Sequence, residues 1–241
     1  MQTFGYALTM PLFGILHLLR SPACTSSSQA LANPSLFDPR VLLPAFGLGY
    51  FVPSVLMSLP MSPAAHQWFG AIWQGFPLYV IAYQALFVRL VKPSPQNDAK
   101  SLAHAYDWGF NVAAVTQLCT YAVLQAVRVA PSLFPSWAPT AFTFGSVFRP
   151  GPMHSTEPLS SMAAAMHDFF KWDQYVGSAA AMTWALAQYA ISAETELTLQ
   201  RWANLGWDIL RWSLVAGPAG ALMQVLKRRD EAILCNSKKS S

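Results

Sequence analysis

ANLGWDILRWSLVAGPAGALMQVL, residues 203–226, carries only Asp208 and Arg211 as charges and then stops abruptly at Lys227, Arg228 and Arg229. About 20 predominantly apolar residues cross the roughly 30 Å hydrocarbon core as a helix. The stretch therefore predicts a transmembrane span ended by basic residues that reach for the interface. Five further apolar segments precede it. The first, about 3–19, ends at Arg20-Ser21-Pro22. The second, about 41–59, contains Pro44 and Pro53 and is expected to be kinked, since a membrane helix accepts proline where neighbours satisfy the freed carbonyl. The third, about 67–90, has Trp68, Trp73, Tyr79 and Tyr83 as candidate interfacial anchors. The fourth runs over about 106–127 and the fifth over 175–191.

Composition agrees. Of 241 residues, 11% are charged and 54% hydrophobic, whereas water-soluble domains carry about 25% charge. The composition argues against disorder and against an aqueous single-core enzyme. The expected fold is all-α: one polytopic membrane helical bundle over 1–241 with about six transmembrane helices. The N-terminus lacks the basic n-region of a secretory signal, so its apolar stretch is read as a retained first span. The connection 128–161 holds prolines at 131, 135, 139, 150, 152 and 158 with Phe134, Trp137, Phe142, Phe144 and Phe148. It is too rich in proline for a helix and is expected to cling to the interface or cover the mouth of the bundle.

The net charge of +4 does not mark a nucleic-acid binder, because the basic residues are scattered at segment ends and gathered only in the C-terminal tail. Snorkelling and lipid headgroups account for them. Six spans put both termini on one side. That side receives Arg128, Arg149, Lys171, Lys227, Arg228, Arg229, Lys238 and Lys239, and the other Arg20, Arg40, Arg89, Lys92, Lys100 and Arg201, so the positive-inside rule favours cytosolic termini. Cys24, Cys119 and Cys235 are too few and too far apart for a disulfide framework or a CxxC metal site.

Ionisable residues near hydrocarbon are costly and mark candidate sites. Asp173 stands at the entrance of the fifth span, and on a helix Phe169, Asp173, Gly177, Ala180 and Trp184 share one face. A carboxyl is thus placed between aromatic rings, above small residues that let another helix or a ligand come close. The structural alternative is a carboxylate satisfying free N–H groups at a helix start. Asp107 opens the fourth span beside Trp108, with Asn111 one turn on, and has the same two readings. Asp208 has Arg211 at i+3 and Trp212 at i+4, so an intrahelical ion pair stands against a second acid or cavity residue. His17, deep among leucines, is read as a hydrogen-bonded structural residue. Glu157, Glu194 and Glu196 lie in connections and are read as solvated.

HExxH, Walker A, GxSxG, the dinucleotide glycine fingerprint and an aspartate-rich prenyl-diphosphate motif do not occur in the sequence. What it offers is a few carboxyls with nine Trp, eight Tyr and fifteen Phe. Such an inventory could protonate a lipophilic substrate and face the resulting carbocation with π electrons. It would equally build an ordinary aromatic girdle. A small-solute transporter would need a polar path across the bilayer, and the fifth span is bare of charge beyond Asp173. A non-catalytic accessory protein would use every carboxyl as a cap.

Residues 3–22, TFGYALTMPLFGILHLLRSP, and 172–186, WDQYVGSAAAMTWAL, resemble the fungal integral-membrane terpene cyclases of meroterpenoid pathways, of the ascofuranone and macrophorin type. The similarity continues through 66–80, HQWFGAIWQGFPLYV, and 107–124, DWGFNVAAVTQLCTYAVL; members of the family are longer at the N-terminus. The resemblance implies cyclisation of a farnesyl chain carried by a phenolic or quinol polyketide. A buried acid protonates an epoxide or terminal olefin, the polyene closes, and a base or a hydroxyl ends the cation. No metal or redox cofactor is implied. Asp173, in the best-matching run, is the implied acid, with Asp107 or Asp208 as a second polar partner. Trp172, Trp184, Trp108 and Trp212 would stabilise the cation, and Tyr175 would line the substrate. The implied partners are a farnesylated aromatic polyketide and the lipid bilayer, with a polyketide synthase, prenyltransferase and epoxidase acting upstream. An endoplasmic reticulum or other endomembrane location is expected.

Overall fold

The computed structural model describes residues 5–20, 39–59, 61–91, 98–152, 161–193 and 198–240. Glu157, Glu194, Glu196 and Cys24 lie outside them. Among the described residues the regular structure is helical throughout: α1 Tyr6–Arg20, α2 Pro39–Phe46, a π-helical turn Gly47–Phe51, α3 Val52–Ser58, α4 Pro63–Gln74, α5 Phe76–Leu90 and α6 Asp98–Val129. After a 3-10 turn at Pro131–Leu133 come α7 Ala138–Ala141, α8 Phe144–Phe148, α9 Met162–Ser192 and α10 Leu199–Ser240. The chain divides into two compact units, Met1–Cys24 with Gly109–Arg229, and Thr25–Trp108 with Asp230–Ser241.

By length and composition alone three helical stretches could cross a membrane, Arg40–Ser58, Leu102–Val129 and Leu199–Ile233, the last interrupted at Gly217, and α4 with α5, bent by 54°, would make a fourth. Among the described residues that makes three or four, and the count of six is not confirmed. The first expected span is α1, whose 15 residues fall short of the about 20 a crossing needs. The fifth begins inside a 31-residue helix, and residues 175–191 are diluted by Ser178, Thr183 and Gln188 and by small residues. The third is broken at Gly75, just ahead of Pro77, whose ring favours a helix's first turn. Many large apolar side chains are left outside the packed interior, among them Leu12, Ile15, Leu78, Ile81, Val115 and Leu214. That surface suits hydrocarbon rather than water.

In the first unit α1 and α9 run parallel: Tyr6 and Ala7 meet Asp173, Gly14 meets Trp184, and His17 meets Trp184 and Gln188. The buried positions of α9 are Gly177, Ala181, Ala185, Gln188 and Ser192, spaced by fours and threes as one helix face requires. The Tyr6 ring occupies the space that a side chain at 177 would need. Glycine there allows the close approach on which the seam depends.

The sixth expected span differs most. On an unbroken helix Asp208 and Arg228 would stand about 30 Å apart at 1.5 Å per residue, yet Arg228 Nη2 lies 2.6 Å from Asp208 Oδ2. The helix therefore folds back on itself. Its turn is Gly217, at φ 64° and ψ −179°, a region essentially closed to residues with a Cβ, and Pro218 holds its predecessor out of helical geometry. Residues 203–226 thus form a helical hairpin rather than one straight span, and the length of Leu199–Ile233 is not available to a single crossing. Leu205 of the outgoing arm and Val225 of the returning arm bury against Ala185 of α9, flanked by Met182, Ile209 and Leu222.

The second unit is built on aromatic contacts. Tyr50 lies 4.9 Å from both Phe46 and Phe76, Trp73 is 5.4 Å from Phe76, and Trp108 meets Phe46 edge-on at 6.2 Å between centroids. Trp73 Nε1 donates to Ser54 Oγ at 2.8 Å.

Candidate functional site

Asp173 is half-buried in α9 and caps another helix. Its Oδ2 accepts the Tyr6 N–H at 2.9 Å and its Oδ1 the Ala7 N–H at 2.7 Å. The first N–H groups of a helix have no intrahelical acceptor, and a carboxyl among them is worth about 0.5–2 kcal/mol. The expected capping alternative placed Asp173 at its own helix start. It stands instead about three turns into a helix whose cap is Ser161, and serves α1 across the seam. Negative charge appearing on this carboxyl is met by two main-chain donors and the positive end of the α1 dipole.

Further along the same seam, Trp184 donates its indole N–H to His17 Nδ1 at 3.3 Å, and Gln188 Nε2 lies 2.9 Å from the same nitrogen. An indole nitrogen can only donate, so Nδ1 is the acceptor and the neutral ring carries its proton on Nε2. Phe13 completes the group, with ring centroids 5.5 Å from His17 and 5.8 Å from Trp184. Trp184 is therefore tied into the helix contact, and Gln188, which the sequence did not single out, is almost fully buried beside it.

The polar start of α9 fastens the proline-rich connection. Lys171 Nζ donates to the carbonyls of Ser146 and Arg149 at 3.2 and 3.0 Å, Trp172 Nε1 to that of Gly151 at 2.9 Å, and Tyr175 Oη to that of Phe148 at 2.7 Å. Trp172 and Tyr175, expected to face substrate, spend their polar atoms on this strap. Contrary to expectation the strap contains short helices; Thr143 and Ser146 close α8 with a reciprocal capping box. Lys171 also pairs with Asp168 at 2.7 Å. Its hydrogen bond holds the Asp168 carboxyl below the usual carboxylate range, helped by the main chain of Gly151.

Where the strap passes the end of α6 it encloses a cavity of about 540 Å3, walled by Tyr121, Leu124, Gln125, Arg128, Phe142 and Phe144 among others. None of the three expected carboxylates lines it. Asp208, 8% exposed, is instead gripped by Arg211 and by Arg228 of the returning arm, and the Arg228 guanidinium lies 4.5 Å from the centre of the Trp212 ring. The i+3 pair was legible; the second arginine, 20 residues away, was not. Trp212 accordingly faces a protein cation. Asp173 and Asp208 hold separate sets of partners, and Asp107 and Trp108 belong to the second unit. Among the described residues no group of three or more His, Cys, Asp or Glu side chains is arranged to hold a metal ion.

Comparison with known proteins gives the affiliation. The CtvD domain model matches residues 1–234. The chain is 29% identical to terpene cyclase ascI of Acremonium egyptiacum, over 95% of this chain and 60% of that protein. Identity is 24% to terpene cyclase atmA of Aspergillus flavus, over 74% and 50%, and 22% to terpene cyclase ctvD of Aspergillus terreus, over 93% and 64%. The chain thus spans one half to two thirds of the length of the curated relatives it matches. No solved structure matches it.

Proposed function

The chain belongs to the CtvD domain family, and from that premise we propose that it is an integral-membrane terpene cyclase closing the farnesyl chain of a prenylated phenol or quinol. The family match over nearly the whole chain, with relatives named terpene cyclases, is the observation that carries this reading. Asp173 is the proposed acid. Its proton passes to the epoxide oxygen or the terminal olefin. In the epoxide case the C–O bond breaks as the oxygen becomes a hydroxyl, the polyene π bonds close in turn, and the last cation gives up a proton or is trapped by a hydroxyl. The net change is isomerisation, so no oxidant is consumed. What the geometry lends is a place for the charge left behind: the Tyr6 and Ala7 N–H groups already point at the two carboxyl oxygens, and donors set in advance lower the cost of forming the carboxylate.

The substrate then comes from a polyketide synthase, a prenyltransferase and, for the epoxide, an epoxidase, and the enzyme works in the endoplasmic reticulum or another endomembrane. The test is to supply membranes containing the full chain with a farnesylated phenol and with its terminal epoxide, and to look for a cyclised isomer. Asp173→Asn is expected to lower its formation by about 10²–10⁴-fold, the usual contribution of a general acid, while still inserting into membranes. Undiminished closure by that variant rejects Asp173 as the acid. Failure of the unaltered chain to close either substrate rejects cyclisation.

A further inference from the structure

The cavity under the strap is lined from the α6 side by Tyr121, Gln125 and Arg128, at i, i+4 and i+7 and hence on one helix face. Their polar atoms have no hydrogen-bond or ion-pair partner among the described residues; the Tyr121 ring rests on Phe148 at 6.0 Å. The opposite wall, Pro139, Phe142, Thr143 and Phe144, is apolar apart from the Thr143 hydroxyl, which the α8 capping box engages, and it is stiffened by that box and by the three α9 side chains that hold strap carbonyls. About 540 Å3 falls within the roughly 300–1,000 Å3 of small-molecule pockets, which pair apolar walls with a few convergent polar groups. We infer that this cavity binds an amphipathic molecule with an apolar chain and a carboxylate or phenolate head. Arg128 takes the head in its planar fork of donors, Gln125 and Tyr121 add uncharged hydrogen bonds, and the chain lies against Phe142 and Phe144.

Arg128 in the last turn of α6 also complements the negative end of the helix, but that role needs neither the neighbouring polar pair nor a hollow beside it. A fatty acid from the bilayer and a prenylated phenolic acid share the required chemistry. The inference holds whether or not Asp173 is an acid, because its readout is binding and not turnover.

The experiment is calorimetric titration of the full chain, in micelles of an uncharged detergent, with palmitate, with a farnesylated hydroxybenzoic acid and with farnesol. At least one acid is expected to saturate a single site. Arg128→Ala is expected to weaken that acid about ten- to hundred-fold, as loss of a charge-assisted hydrogen bond does, and Arg128→Lys by less; farnesol binds weakly and equally to all. Tighter palmitate identifies a lipid occupant and tighter farnesylated acid a substrate-like one. Binding that is unchanged in an Arg128→Ala protein of unaltered melting temperature, farnesol as tight as the acids, or no binding of either acid overturns the assignment.

Discussion

Two aspartates in similar apolar surroundings meet opposite fates in the first unit. Asp173 receives two uncharged main-chain donors from another helix; Asp208 receives two arginines, one from its own turn and one from the returning arm of the hairpin. A carboxyl held by amides has donors on both oxygens but no countercharge beside it. One held between two guanidinium groups has its charge already answered and ties the two arms of the hairpin together. Hydropathy and residue type do not separate the two cases. The identity of the donors does.

The contrast can be broken most decisively through activity. Asp208→Asn is expected to leave the cyclised isomer within about tenfold of the unaltered chain, against the far larger loss set for Asp173→Asn; equal losses would erase the distinction. The partner arginines of Asp208 are 59% and 42% exposed in their side chains, so removing the carboxylate should cost about 1–2 kcal/mol, well below the value for a fully buried pair, read as a lower midpoint on thermal unfolding in detergent. Gly217→Ala tests the hairpin turn without touching its charges. A Cβ at φ 64° should cost about 1–3 kcal/mol, and an unaltered midpoint would show that the turn does not need its positive φ. Gly177→Ala tests the other region: a methyl in the place of the Tyr6 ring should cost about 1–3 kcal/mol and blue- or red-shift Trp184 emission as α1 is displaced.

The smallest effect concerns the strap. Because Lys171 lowers the Asp168 carboxyl, the pair stabilises the fold fully above the unfolded value near 3.8, and that contribution is lost as pH falls through the lower folded value. Replacing Asp168 by Asn should remove this acid-side dependence and leave stability at neutral pH slightly reduced. A persisting dependence of the same size in that pH window would assign it to another carboxylate.

Much of the seam was legible. Period-3.6 arithmetic put Asp173, Gly177 and Trp184 on one face, and the small residue at 177 signalled close approach, which the structure supplies through α1. What that face would meet was not legible, because a helix face does not name its partner. Local pairing likewise gave Asp208 with Arg211 but could not reach Arg228, since the hairpin brings together residues that a linear hydropathy window treats as a continuous span. Trp172 and Tyr175 were selected for their rings, whereas the structure employs their N–H and O–H groups on strap carbonyls. The Tyr121, Gln125 and Arg128 face passed unnoticed because its meaning arises only when a proline-rich segment, read as a simple cover, closes over it.

The fold-back at Gly217 also bears on how this protein is threaded through its bilayer. An element that reverses midway delivers both of its ends to the same leaflet and adds nothing to the parity of crossings. The tally of basic residues by side, which counted residues 203–226 as one passage, therefore loses its last step. A glycosylation-acceptor scan of the two flanks of the hairpin should find them in the same aqueous compartment.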